Sequence, residues 1–164
     1  MPDFSFRNMS HRWLRIVIGA IAMVAGLAWS GTAKAQLPLM SVTASPGSLT
    51  ITTAVAGSSP TGVTEATTKY STNTIGALST SKITARLSSA LPAGATLTIT
   101  LAAQSGATSM GQVTLSTTAQ DVVRNIPILS TADNLAITYR LSATSAAGVI
   151  ASSSRTVTLT IGSQ

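Results

Sequence analysis

Residues 96–101 read "TLTITL", and residues 156–161 read "TVTLTI". In both, threonine alternates with Leu, Ile or Val. Successive side chains of a strand point to opposite faces. Each stretch therefore predicts a β-strand with one apolar row and one hydroxyl row.

The same period of two runs outward along the chain. "SLTITTAV" (48–55) places Leu49, Ile51 and Val55 on one side, and "KITARLS" (82–88) places Ile83, Ala85 and Leu87. "TLTITLAA" (96–103) gives Leu97, Ile99, Leu101 and Ala103, and "QVTLST" (112–117) gives Val113 and Leu115. "NLAITYRLSAT" (134–144) aligns Leu135, Ile137, Tyr139, Leu141 and Ala143, and "RTVTLTI" (155–161) aligns Val157, Leu159 and Ile161. Less regular stretches, "TTKYSTNT" (67–74) and "DVVRNIPIL" (121–129), also read as strands, with Pro127 placing the end of the second at an edge or a bulge.

Turn chemistry lies between these runs. "SPGS" (45–48) predicts a type II turn with Gly47 at positive φ. "LPAG" (91–94) predicts a type I turn with Pro92 second and Gly94 fourth. "QSGATSMG" (104–111) and "TADN" (131–134) read as loops, and "SAAGV" (145–149) as the last connection. No helical period or fixed-length repeat emerges after residue 35. Short strands at this spacing predict an all-β sandwich or barrel.

The first 35 residues differ in kind. A basic "RNMSHRWLR" (7–15) precedes the apolar run "IVIGAIAMVAGLAW" (16–29), and "SGTAKA" (30–35) sets Ala33 and Ala35 at the small-residue positions of a cleavage site. The run is shorter than the ~20 residues of a bilayer span. Residues 1–35 thus read as a signal peptide cut before Gln36, and residues 36–164 as a single β-sandwich domain without a membrane span. The expected location is periplasmic, cell-surface or secreted. Half of the net charge of +6 belongs to the leader.

Both Trp, both Phe and the single His precede Gln36, and the chain has no Cys. Residues 36–164 therefore lack the imidazole or thiol of Ser-His-Asp and Cys-His sites, and the preferred nitrogen and sulfur ligands of transition metals. Lys69 and Lys82 lie in polar, strand-like contexts and read as solvated rather than as catalytic lysines. Glu65, Asp121 and Asp133 are the acids that a glycosidase pair would have to use, and they sit in separate segments. Asp121, Asn125, Asp133 and Asn134 are oxygen ligands of the kind calcium accepts, but without a D-x-D-x-D-G run. "TADN" is then a loop bonded to its own backbone. Dispersed basic residues without stacking aromatics exclude a nucleic-acid platform. No catalytic, cofactor-binding or metal-binding residue is assigned, and no cofactor is expected.

Two aromatics remain. Tyr139 falls on an apolar stripe and is expected in the core, with its hydroxyl bonded at a sandwich end as in a tyrosine corner. Tyr70, next to Lys69, is expected to be partly exposed. The threonine rows read as the wet face of a sheet, since a β-branched residue suits a pleated surface and keeps its hydroxyl in water. Binding an ordered surface such as ice would need rows aligned on adjacent strands, and no repeat aligns them.

Across residues 41–161, "ITARL…ATLTITLAA…LSTTAQDVV…ITYRLSAT…RTVTLTI" resembles uncharacterised secreted bacterial Ser/Thr-rich immunoglobulin-like β-sandwich proteins. In style the layout is similar to chaperone–usher pilin and spore-coat-U-like subunits. The resemblance implies an immunoglobulin-like antiparallel β-sandwich of about seven to eight strands. It carries over no functional residues. Pilin subunits usually end on a strand with a terminal aromatic, whereas this chain ends "TIGSQ". Their donor segment alternates apolar residues, whereas "QLPLMSVTAS" (36–45) is interrupted by Pro38. The expected function is a non-catalytic structural or cell-surface-associated role, as an adhesion or envelope component. The alternative is a pilin-like subunit assembling by β-strand addition. Expected partners are further copies joined through a sheet edge, or other envelope proteins, and not nucleic acid.

Overall fold

The computed structural model describes residues 36–43, 46–52, 58–147 and 153–164. The signal-peptide reading of residues 1–35 lies outside them. The described chain forms ten strands: β1 (Leu39–Thr43), β2 (Val63–Glu65), β3 (Lys69–Asn73), β4 (Ser81–Leu87), β5 (Ala95–Leu101), β6 (Thr108–Ser109), β7 (Val113–Thr114), β8 (Gln120–Ile126), β9 (Thr131–Ala143) and β10 (Val157–Ser163). A 3₁₀ turn at Ser145–Ala147 is the helical element among the described residues.

All pairs are antiparallel, in two sheets. One has the order β1-β3-β9-β5-β7, with β2 also on β9, and the other has the order β10-β4-β8-β6. The expected all-β antiparallel sandwich is therefore present. The pairs β3/β9, β4/β8 and β5/β7 are nested around the turn at Gln104–Ala107, where Ala107 N–H donates to Gln104 O at 3.1 Å. The middle of the chain is thus one long hairpin folded over on itself, a jelly-roll type of order. In the immunoglobulin order the last two strands are neighbours, whereas here β9 and β10 belong to different sheets.

The period of two holds where it is cleanest. Ile83, Ala85 and Leu87 of β4 and Leu97, Ile99 and Leu101 of β5 all point into the core. They meet Leu115, Val122, Val123, Ile126, Ile137, Tyr139 and Tyr70. Burying each large aliphatic contributes about 1.5–3 kcal/mol.

Other segments depart from the expectations. Residues 48–52 form no strand, although Leu49 still packs against the core; residues 53–55 lie outside the described residues. Gly47 does not have positive φ. The turn before β5 is displaced by one residue. Ala95 N–H donates to Pro92 O at 3.1 Å, so Pro92 is first and Gly94, at φ 79°, is third. "TADN" is the start of β9 rather than a loop. Between Tyr70 and Thr72 the β3–β9 register slips by one residue, and Asn134 takes up the slack at φ 57°. Asparagine tolerates that left-handed conformation better than most residues.

β8 carries two such slips. One sits opposite Ile83/Thr84 and the other between Ser81 and Ile83, next to Asn125 at φ 56°. The first turns two consecutive residues, Val122 and Val123, into the core. The second restores Ile126 to the inside after the exposed Arg124 and Asn125. The strand ends at Ile126, so Pro127 lies beyond it rather than at an edge or bulge within a strand reaching residue 129.

Candidate functional site

Threonine occupies both kinds of position. On β5 it faces outward: Thr96 lies opposite Ser142, Thr98 opposite Arg140 and Thr114, and Thr100 opposite Thr138. Gln112 Nε2 donates to Thr98 Oγ1 at 2.8 Å on this face. The hydroxyl rows are therefore aligned across adjacent strands, which the sequence did not reveal because the aligned residues lie far apart in the chain. Arg140 interrupts them.

On β3 the pattern is inverted. Thr68, Tyr70, Thr72 and Thr74 are all buried. Thr72 Oγ1 donates to Gln104 Oε1 at 2.5 Å, and Gln104 Nε2 donates to Ser130 Oγ at 2.7 Å. Thr74 Oγ1 lies 2.7 Å from Pro127 O and 2.9 Å from Ser130 Oγ, and it accepts from Ser130 N–H at 3.1 Å. This network ties the ends of β3, β5 and β8 together at one end of the sandwich. Burying hydroxyls and an amide is tolerable because each finds a partner. Ser81 differs: its hydroxyl is buried and has no partner among the described residues.

Tyr70 is a correction. It is 1% exposed, and its hydroxyl donates to Ala102 O at 2.5 Å. Burial pushes its phenol up to about 12. Tyr139 is in the core as expected, and it lies opposite Glu65. Burial first, and then the charge of Glu65, raise its pKa. The sheet-to-backbone hydrogen bond expected of Tyr139 is made by Tyr70.

The three acids lie apart. Glu65 accepts from Thr67 N–H at 2.6 Å, from the Thr67 hydroxyl, and from Thr68 Oγ1 at 3.2 Å. The Thr67 hydroxyl bond is the main reason its carboxyl is held low, partly opposed by desolvation. Asp133 is on β9, six residues before the partner of Glu65, so the two are separated by roughly 20 Å at ~3.4 Å per residue. A glycosidase pair needs about 5–9.5 Å. Asp121 is on the outer face of the other sheet, 3.1 Å from Lys82 Nζ and 2.6 Å from Arg124 Nη2. Desolvation raises its pKa, but the hydrogen bonds and charges of Arg124 and Lys82 outweigh this and leave it lowered. Lys82, expected to be solvated, is therefore paired.

The calcium candidates do not converge either. Asp121 and Asn125 lie on β8, and Asp133 and Asn134 lie on β9 in the other sheet. Among the described residues no group of three or more His, Cys, Asp or Glu is placed to hold a metal. A shallow groove of about 590 Å³ runs over β1, β3 and the start of β9, past Met40, Ser41, Ser71, Asn73 and Asp133. Its lining combines Ser and Thr, the Asn73 amide and the Asp133 carboxylate with the apolar Leu39 and Met40. At the Pro127 end, Leu37, Ile75, Leu78, Ile128 and Leu129 are exposed.

No helix among the described residues is long and apolar enough to cross a membrane. No family model, curated protein or solved structure matches this chain.

Proposed function

We propose that the chain is a non-catalytic structural β-sandwich of the cell envelope or surface, exported through its leader. The observation that carries this reading is the separation of Glu65, Asp121 and Asp133, with Glu65 and Asp121 each engaged by neighbours. Glycoside hydrolysis needs two such carboxyl groups flanking one scissile bond. The test is to express the full chain in a bacterium and fractionate the cells. The expected product starts at Gln36 and lies outside the cytoplasm. An uncleaved cytoplasmic product overturns the export reading. Substrate turnover that is abolished by Glu65→Gln, Asp121→Asn or Asp133→Asn overturns the non-catalytic one.

The second reading is assembly by strand addition. The outer edge of β10, unpaired among the described residues, favours it. The segment 36–45, which a pilin-like subunit would donate, contributes β1, and β1 is paired with β3 of its own chain. Strand exchange through this segment would therefore have to displace an existing pair.

A further inference from the structure

Among the described residues, β10 has a strand partner on one side and none on the other. Its register with β4 places Thr156 opposite Ser88 and Gln164 opposite Thr80, and Ser88 N–H donates to Thr156 O at 2.9 Å, as Gln164 N–H does to Thr80 O. In an antiparallel ladder, hydrogen-bonded and non-bonded residues alternate. Thr158, Thr160 and Gly162 thus point their N–H and C=O groups at β4. Val157, Leu159, Ile161 and Ser163 point theirs at the open edge.

The strand itself carries none of the usual edge-blocking residues. The strand has no Lys, no Pro and no bulge over its seven residues, and its register with β4 is unbroken. The other outermost strands are shorter: β1 has five residues, and β6 and β7 have two each. The side chains repeat the message. Ile83, Ala85 and Leu87 of β4 are at most 2% exposed, whereas their partners Ile161, Leu159 and Val157 are only partly buried. β1 packs beside β10 at this side of the sandwich.

We propose that the occupant of this edge is β10 of a second copy, paired antiparallel about a two-fold axis. An isologous contact presents the same patch twice and closes on itself. Full overlap of the seven residues sets Thr160 opposite Thr160 of the second copy, and Leu159 opposite its Ile161. The open groups then meet in pairs, and the two four-stranded sheets become one sheet of eight. This inference goes beyond the structural-role reading and does not depend on where the protein resides.

The test uses protein purified after expression of the full chain, with molar mass measured by light scattering across a concentration series. Wild-type protein is expected to pass from one chain to two with rising concentration. Thr160→Lys, and separately Thr160→Glu, place like charges opposite each other at the axis and are expected to raise the dimer dissociation constant about fivefold. Mixing the two variants is expected to restore association. Thr160 is exposed, and a cooperative thermal transition, compared at a concentration where wild type is a single chain, verifies that each variant folds. A wild-type mass of one chain at every concentration overturns the proposal. So does growth beyond two chains, or a variant that dimerises as tightly as wild type.

Discussion

Tyr70 reaches across β9 to hydrogen-bond the backbone carbonyl of Ala102 at 2.5 Å, joining β3 to the end of β5 beneath the strand that separates them. Tyr70→Phe removes that bond and leaves a carbonyl short of a donor, so a loss of about 1 kcal/mol is expected in urea denaturation. Tyr70→Ala also empties a core site and is expected to cost about 3–5 kcal/mol. The phenol is pushed up to about 12 by burial. Its proton is therefore held more tightly in the folded state than in the unfolded one. The stability this represents is complete below pH 10 and falls as the pH rises from 10 towards 12. A titration of wild type against Tyr70→Phe checks this. A limb that is the same in both would show that Tyr70 is not its source.

Two buried hydroxyls should respond with opposite signs. Thr74→Val keeps the shape but strips partners from Pro127 O and Ser130 N–H. About 1–3 kcal/mol of destabilisation is expected. Ser81→Ala removes a hydroxyl that has no partner, and is expected to be neutral or stabilising by up to about 1 kcal/mol. Thermal melting of the two variants side by side decides it.

Val122→Asp and Val123→Asp are both expected to unfold the domain, since each would bury an unpaired charge. A regular strand would expose one of the two. Soluble, cooperatively melting protein from either variant would contradict the bulge.

Asp121→Asn removes the shared partner of Lys82 and Arg124 on the outer face. The expected cost is at most about 1 kcal/mol, shrinking at high salt because the pairs are partly exposed. The carboxyl is held below its ordinary range, so its contribution is present above that range. It is lost as the pH falls through the lowered pKa. Denaturation midpoints at two salt concentrations and at acid pH measure both effects.

The strands legible in the sequence were those whose side chains alternate without interruption. β4 and β5 follow their apolar stripes residue by residue, because an unbroken ladder preserves the period. β8 was readable as a strand, but not for its inward residues, since a bulge shifts the face and leaves no mark in composition. Residues 48–52 have the alternation of a strand, but pair with no strand among the described residues. Tyr70, between Lys69 and Ser71, looks wet in the sequence, yet it shares its face with Thr72 and Thr74, which are buried by bonds to Gln104 and Ser130. Such partners come from loops distant in the chain, and no local pattern announces them. The absence of His and Cys from residues 36–164, by contrast, was plain from the residues alone.

The nested pairing of β3 with β9, around β4 with β8, around β5 with β7 also has a price in time. Tyr70 cannot meet Leu135 until nearly the whole chain exists, and β10 must find β4 later still. Domains built from such distant pairings fold slowly. A chain exported unfolded would spend that interval with β4 and β5 bare and their apolar rows uncovered. Survival between crossing the membrane and closing β9 into place would then depend on a holding factor, or on the speed with which the central hairpin forms around Gly106.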